Sequence, residues 1–455
     1  MEGLLDAFEV ARTRIASWMS ANQVPFTVTA NEVLIEDNDE GTGWSSRTVE
    51  VQRNVLESGL LGFQIRQELP RAHGAWGVGV RALAEKLELR FHETKPPRSP
   101  FSPGGLMLLG KDSQDLNRDD PVEMLMAQFV LAPVLWYLIH LESVDVGQPQ
   151  LALTLAREVL TVLNEGKLIV RQAIALAGLR TTEDLKHDNV RLRRFTPAER
   201  GRFLDMRDSP YRLVNTLASG FMPVTPAHVL EVDIPIRDVR DLGTLAPPRI
   251  LTAMQLHQLP VVGPGIVASQ VMPEWYGMSV SGRPIAMQRH EEHPNPTVTS
   301  EILESVCATA EKLKSQRLDD PQRASEIAVH RFSLGCGRDD ASDSLVDFVV
   351  SLEALLLPYG DDQRSEMSYR FRLHGAHFIA SHVLERSTLF EQLNRLYSIR
   401  SRMVHGGVHP SAIEIREANR DAKAISARGL LKALNEGFPD VAYFKRAVLG
   451  EPQRE

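Results

Sequence analysis

The sequence predicts a mainly α-helical protein with an α+β N-terminal part and an antiparallel helical bundle in its C-terminal third. Two patterns support this fold class. Apolar residues recur at three- and four-residue steps between about residues 115 and 220 and again after residue 298, which is the spacing of one helix face. Strand-like alternation is confined to short runs, such as FTVTANEVLIED at 26–37 and VLEVDIPI at 229–236.

The chain has 455 residues, more than one hydrophobic core usually supports, so several regions are expected. We predict an α+β N-terminal region, a helical region, a strand- and loop-rich region with a linker, and a helical bundle, at residues 1–110, 111–221, 222–298 and 299–455. Proline and glycine cluster in KPPRSPFSPGG near the first boundary. The segment EEHPNPTVTS resembles a linker at the last boundary.

Three features of the N-terminal half predict individual helices. The apolar run 125–141 is too short to span a membrane comfortably and contains a glutamine and a proline, so it predicts a buried helix. Residues 151–179 have helical periodicity on both sides of a predicted break near Gly166. Thr196 and Glu199 have the spacing of a capping box, which predicts a helix that begins at Pro197.

The bulk composition limits the classes of partner. The formal net charge is −8, so the whole chain does not attract nucleic acid or anionic membranes, and an RNA contact needs a local basic patch. Only Cys307 and Cys336 are cysteines and no CxxC occurs, which suits a reducing compartment and argues against disulfides or a zinc site. The opening residues read as an amphipathic helix and not as a signal peptide. We therefore expect a soluble, cytoplasmic protein with no membrane partner.

No cofactor and no metal is predicted. The segment Gly105–Lys111 has the spacing of a phosphate-binding loop, but Asp112 follows where a magnesium-binding hydroxyl is needed. His290 and His293 are three residues apart, whereas a zinc-protease helix needs two histidines four apart. A group of basic residues offers phosphate contacts, although a solvated helix face is the favoured interpretation. Its members surround Phe195 and are Lys186, Arg191, Arg193, Arg194, Arg200 and Arg202.

The C-terminal third predicts five helices and contains the candidate site. The helices are expected at residues 300–317, 341–357, 364–384, 388–405 and 411–434. In the fourth, LFEQLNRLYSIRSRMVHGG, Arg400 and His405 directly precede two glycines that suit a helix C-cap. Five residues correspond to about 140° around a helix, so Arg400 and His405 do not share a face, whereas Ser401 and His405 do. Either the last turn loosens or a second chain supplies its own copy.

A carboxylate accompanies these residues in the second helix of this region. Glu353 lies within a broad apolar stripe of the segment DSLVDFVVSLEALLLP. A carboxylate on such a face costs free energy unless it is paired. The favoured interpretation is that Glu353 bonds an arginine for structural reasons, and the alternative is that it supports a functional site.

Three segments in order resemble the Apea-like branch of the HEPN superfamily. They are RFSLGCGRDDASDSLVDFVVSLEALLLP, SEMSYRFRLHGAHFIA and LYSIRSRMVHGG, and the resemblance covers roughly residues 300–450. It implies a compact helical bundle that often forms a homodimer. It also implies a metal-independent ribonuclease motif, Arg-x(4–6)-His, here Arg400-x4-His405. Ser401 departs from the Asn, Asp or His that follows the arginine in many members.

If the resemblance extends to activity, the reaction is attack of an RNA 2′-hydroxyl on the adjacent phosphorus, which leaves a 2′,3′-cyclic phosphate. His405 then does acid–base work and Arg400 contacts phosphate oxygens, with Ser401, Arg402 and Glu353 in support. The implied role is a toxin-like or antiphage effector whose N-terminal part responds to an unknown trigger or regulator. The alternative is a non-catalytic HEPN module for assembly or ligand binding. Residue types alone favour a structural role. In that role Arg400 and Arg402 interact with the last carbonyls of the helix, and His405 caps the bundle.

Overall fold

A computed structural model describes residues 2–37, 44–54, 132–165, 168–204, 227–236, 249–261, 266–273, 279–284, 295–315, 324–338, 340–358, 366–405 and 409–449. Helices account for most of these residues, and the strands form small, largely antiparallel sheets, in agreement with the predicted mainly α fold. The segments Gly105–Lys111 and His290–His293 lie outside the described residues.

The helices are α1 Glu2–Ala21, α2 Ala132–Ile139, α3 Pro149–Glu165, α4 Pro197–Leu204, α5 Arg249–Leu256, α6 Ser300–Ser315, α7 Ala324–Gly337, α8 Ala341–Leu356, α9 Met367–Ile379, α10 Val383–His405, α11 Ala412–Glu436 and α12 Val441–Leu449. The strands are β1 Thr27–Asp37, β2 Trp44–Asn54, β3 Leu168–Leu176, β4 Arg180–Thr181, β5 Leu185–His187, β6 Val190–Arg194, β7 His228–Ile236, β8 Ile266–Met272, β9 Ser279–Pro284 and β10 Thr297–Val298.

At the N-terminal end, helices α1, α2 and α3 pack together beside the β1–β2 hairpin. Phe8 of α1 stacks on Tyr137 of α2 with 5.2 Å between ring centroids, and both side chains are fully buried. The described part of the apolar run, 132–139, is therefore the buried helix that the sequence predicts. Across the described residues, no helix is both long enough and apolar enough to cross a membrane.

A six-stranded antiparallel sheet has the order β5-β6-β7-β3-β8-β9. The prediction of a helical region at 111–221 is wrong over residues 168–194, which contain strands β3, β4, β5 and β6. The segment 168–176, predicted to be helical, is strand β3 between β7 and β8. The helix before it ends at Glu165, and the β-branched Val170 and Ile174 are buried with Gln172 on alternate positions, as a strand requires. A short apolar run does not by itself distinguish a buried strand from a buried helix.

The basic group around Phe195 does not form the solvated helix face that was favoured, because four of its members lie on strands. Lys186 is on β5 and three arginines are on β6, while Arg200 and Arg202 are on α4. Arg193 makes ion pairs of 2.9 Å with both Glu199 and Glu231. The capping box at α4 is confirmed, since Thr196 N donates to Glu199 and Glu199 N donates to Thr196 Oγ1.

Residues 300–449 form a helical C-terminal part that contains the five predicted helices as α6, α8, α9, α10 and α11. Two more helices, α7 and α12, were not predicted. The buried positions of α7 include Glu326 and Gly335, which weakens its apolar stripe, and α12 has only nine residues. Helix α7 packs on α8, α8 packs on α11, and α9 packs on α10. Buried residues of this part form one continuous core with those of β3, β5, β6, β7 and α5.

Candidate functional site

Helix α10 positions the candidate residues. Its buried face consists of Leu389, Leu393, Leu396 and Ile399, each at most 1% exposed. Arg400 follows this face directly, at the edge between the core and the surface. The chain is α-helical up to His405, so the last turn does not loosen, and positions 400 and 405 stay about 140° apart around the helix axis. The side chain of His405 and residues Gly406 and Gly407, with the predicted C-cap, lie outside what the structure describes.

Arg400 and Glu353 meet between α10 and α8. Arg400 Nη2 lies 3.9 Å from Glu353 Oε2, and the two side chains are 21% and 24% exposed. Burial raises the pKa of Glu353, and the positive charge of Arg400 partly opposes this rise. The carboxylate on the apolar stripe therefore does have an arginine partner, as the favoured interpretation predicts.

The contact with Glu353 does not use the hydrogen-bond donors of the Arg400 guanidinium. A separation of 3.9 Å is longer than a hydrogen bond, so the contact with Glu353 is purely electrostatic. The Nε atom of Arg400 is buried and has no hydrogen-bond acceptor among the residues that the structure describes. An arginine fork carries five N–H donors that suit a carboxylate or phosphate in two-point contact. Arg400 consequently has donors available for an anion.

Arg402 contacts the next helix. Its Nη2 donates to Glu414 Oε1 at 3.3 Å, and its Nε has no acceptor in the described part of the chain. Glu414 lies in the first turn of α11, where its other carboxylate oxygen accepts from Ser411 N at 2.9 Å. In the described residues, Arg400 and Arg402 thus pair with carboxylates on neighbouring helices, and not with the last carbonyls of α10 as residue types alone suggested.

Ser401 lies between the two arginines and is half-buried. It occupies the position one helical turn before His405, so the sequence-based statement that these two positions share a helix face agrees with the regular helix. The structure therefore brings Arg400 to Glu353, keeps Ser401 and Arg402 on the same last turns, and places His405 at the end of the helix.

Glu414 was not among the residues predicted for the site. A signal for it was present, because Ser411-Ala412-Ile413-Glu414 has the spacing of a capping box. The structure contains this capping box, with Glu414 N donating to Ser411 Oγ at 3.2 Å. The motif predicts a helix start at Ala412 but not the additional contact with Arg402.

Asp347 binds α7 to α8 behind this region. Its side chain is 4% exposed and accepts from Arg331 Nη1 at 2.9 Å and from Arg338 Nε at 2.8 Å. The two arginines are 43% and 44% exposed, so their remaining donors reach solvent. The segment RFSLGCGRDDASDSLVD, part of the family resemblance, thus supplies the buried carboxylate and both partly exposed arginines of an ion-pair network on the helix that carries Glu353.

Other polar groups of the bundle serve its core. His374 of α9 is buried, its Nδ1 is hydrogen-bonded to the carbonyl of Leu356 at 2.7 Å, and its ring stacks on Phe444 with centroids 4.0 Å apart. No group of three or more histidine, cysteine or acidic side chains that could hold a metal ion is found in the described ranges.

Comparisons with protein-family models, curated proteins and solved structures found no match to this chain.

Proposed function

We propose that the protein is a metal-independent RNA endonuclease of the HEPN type, in which Arg400 and His405 are completed as a site by a second copy of the chain. The observation that carries this proposal is the state of Arg400. Its guanidinium lies at the core edge with a carboxylate partner 3.9 Å away, and its buried Nε has no acceptor within the described ranges. The order of the three resembling segments and the Arg-x4-His spacing add to it.

Arg400 suits the phosphate that is attacked. A phosphate oxygen at hydrogen-bond distance gains more from the guanidinium than the carboxylate of Glu353 does at 3.9 Å. At 3.9 Å the carboxylate makes no hydrogen bond to the guanidinium, so a phosphate oxygen in direct contact competes well for the arginine. Charge that grows on the phosphate oxygens in the transition state then meets a cation that is already in place.

His405 suits the proton transfers. The 2′-oxygen forms a bond to phosphorus while its proton leaves to a base, and the 5′-oxygen leaves with a proton from an acid. Histidine titrates near neutral pH and can serve in either role. The C-terminal end of α10 favours the cationic form, which suits the acid. DNA lacks the 2′-hydroxyl and is not expected to react.

A second copy is needed because α10 stays helical through His405 and keeps the two positions on different faces. Two exposed apolar residues lie at the same end of the bundle, Val404 with 51% and Ile413 with 62% of the surface accessible. The Arg402–Glu414 contact brings these two helix ends together. A symmetric dimer through this end would cover both residues and bring two copies of the motif to one cleft.

The proposed setting is a cytoplasmic toxin-like or antiphage effector that a trigger releases through the N-terminal part. Support comes from the continuous core between the sheet, α5 and the bundle. At this junction His257 Nε2 and Thr309 Oγ1 are 2.9 Å apart and join α5 to α6. A structural change in the sheet would therefore be transmitted to the bundle through the packed side chains of this shared core.

A non-catalytic HEPN module for assembly or ligand binding is the second candidate. It is favoured by one observation, namely that both arginines of the last turns already have carboxylate partners on other helices. In that case Arg400 and Arg402 fasten the bundle and carry no chemistry.

RNA cleavage in EDTA separates the two candidates. The purified chain is incubated with structured and single-stranded RNA, beside the Arg400→Ala, His405→Ala and Arg395→Ala variants. Arg395 is the matched control, since it is an exposed arginine of the same helix that pairs with Glu417. We expect wild type and Arg395→Ala to leave cyclic-phosphate ends and the other two to be inactive. Equal cleavage by all four chains, or no cleavage by any, would count against the proposed site.

A further inference from the structure

Arg402, Ser411 and Glu414 form one connected set of contacts between the last turns of α10 and the start of α11. Glu414 Oε1 accepts from Arg402 Nη2 at 3.3 Å, Glu414 Oε2 accepts from Ser411 N at 2.9 Å, and Glu414 N donates to Ser411 Oγ at 3.2 Å. One carboxylate thus bonds to the last turns of α10 with one oxygen and to the N-cap of α11 with the other.

From this geometry we infer that Glu414 is a positioning residue for His405, a role that rests on the proposed function. His405 lies between Arg402 and Ser411 along the chain. Because both residues are bonded to the same carboxylate, the last turns of α10 are linked to the N-cap of α11. The helix end that carries His405 is held against α11 for the same reason.

The electrostatics of Glu414 favour a permanent contact. Its pKa is lowered, chiefly by the hydrogen bond from the Ser411 backbone and further by the side-chain hydrogen bond from Arg402. The carboxyl group is therefore ionised throughout the neutral range and keeps its charge opposite Arg402. Arg402 contacts Glu414 and Arg400 contacts Glu353, so the two arginines of the last turns of α10 pair with different carboxylates.

The same pair of helices offers a matched control. Arg395 of α10 contacts Glu417 of α11 at 2.7 Å, and Asp421 at 3.7 Å. This contact also joins α10 to α11, but it lies about two helical turns before Arg402 and does not involve the helix cap. Removing it tests whether any ion pair between the two helices has the same effect.

Glu414→Gln separates the two bonds of the carboxylate. Glutamine retains the capping box, because either Glu or Gln serves at this position, and it removes the charge opposite Arg402. Glu417→Gln removes the charge of the control pair. For wild type and both variants we measure amide hydrogen exchange at residues 403–410 and the kcat and KM of RNA cleavage. The comparison requires that the three chains have the same Tm.

We expect Glu414→Gln to speed exchange in residues 403–410 by about two- to fivefold, the range of an exposed ion pair, and to lower kcat while KM is unchanged. Glu417→Gln should leave both readouts at the wild-type values. If exchange and kcat of Glu414→Gln equal those of Glu417→Gln, the inference is overturned. If exchange responds as expected but wild type cleaves no RNA, the proposed function fails while the role of Glu414 in linking α10 to α11 stands.

Discussion

Arg400 of α10 and Glu353 of α8 face each other at the edge of the helical core, with 3.9 Å between Nη2 and Oε2. Each is mostly buried, and neither has a closer ionic partner in the part of the chain that the structure describes. The pair is loose enough for an anion to compete for the arginine, yet it offsets some of the cost of two buried charges. This combination makes the stability of the bundle and its proposed activity depend on the same contact.

The first prediction concerns the pH dependence of stability and the variant Glu353→Gln. Burial raises the pKa of Glu353 in the folded state above its ordinary value of 4.5. The stability linked to this group is therefore complete below the unfolded pKa and is lost as the pH rises through the folded pKa. The Glu353→Gln variant does not lose stability in this way, because the glutamine amide does not ionise. The difference in unfolding free energy, variant minus wild type, should become more positive from pH 4 to pH 7 in urea titrations, and a difference that is flat or falls would contradict the assignment.

The second prediction concerns the buried carboxylate of Asp347. The Asp347→Ala change removes the acceptor of Arg331 and Arg338, both of which keep access to water. We expect a lower urea midpoint, because two charged hydrogen bonds to a buried acceptor are lost, although the exposed arginines recover contacts with water. Arg331→Ala, with the other arginine still in place, should cost less. Urea unfolding monitored by helical circular dichroism measures both, and an unchanged midpoint for Asp347→Ala would show that the network adds nothing.

The third prediction concerns the close approach of α9 and α10 at Gly375. A Cβ atom at this position would overlap Leu393 Cδ1 and lie 3.1 Å from Leu356 Cδ1, both in the buried core. Gly375→Ala should therefore destabilise the bundle by about 1–3 kcal/mol through overpacking, although alanine is the better helix former. Leu393→Ala alone should also destabilise the bundle, but because it makes room for the alanine, the double variant should lose less than the sum of the two single losses. A Gly375→Ala chain with higher Tm than wild type would show that the helices can separate freely.

The fourth prediction concerns the apolar end of the bundle. Ile413 is 62% exposed, so Ile413→Asp should leave the fold intact while it lowers the dimer fraction and, with it, the rate of RNA cleavage. Leu384→Asp is the matched control, because Leu384 is 87% exposed at the other end of α10. Sedimentation velocity gives the dimer fraction. Equal association of both variants and wild type would place any dimer contact elsewhere.

The sequence predicted individual helices better than it predicted contacts between them. Thr196 and Glu199 predicted a cap that the structure contains, because a capping box is local and its two residues are three apart. Strand β3 was missed because its pairing with β7 and β8 involves residues far away in the sequence. Periodicity does not record such partners.

The same limit applies to the candidate site. The apolar surroundings of Glu353 predicted that it would have an arginine partner, and Arg400 is that partner. The sequence did not identify which arginine it would be, since several lie in neighbouring helices. The sequence did not predict the Arg402–Glu414 contact either, because this contact depends on how α10 packs against α11.

The most direct test of the central claim is complementation between two inactive chains. Arg400→Ala and His405→Ala chains with different tags are co-expressed, and the mixed dimer is purified through both tags. If Arg400 of one chain works with His405 of the other, the wild-type cleft holds two such pairs and the mixed dimer retains one, so it should regain about half of the wild-type rate of RNA cleavage in EDTA. A mixed dimer as inactive as either parent, beside an active wild type, would contradict a site shared between two chains.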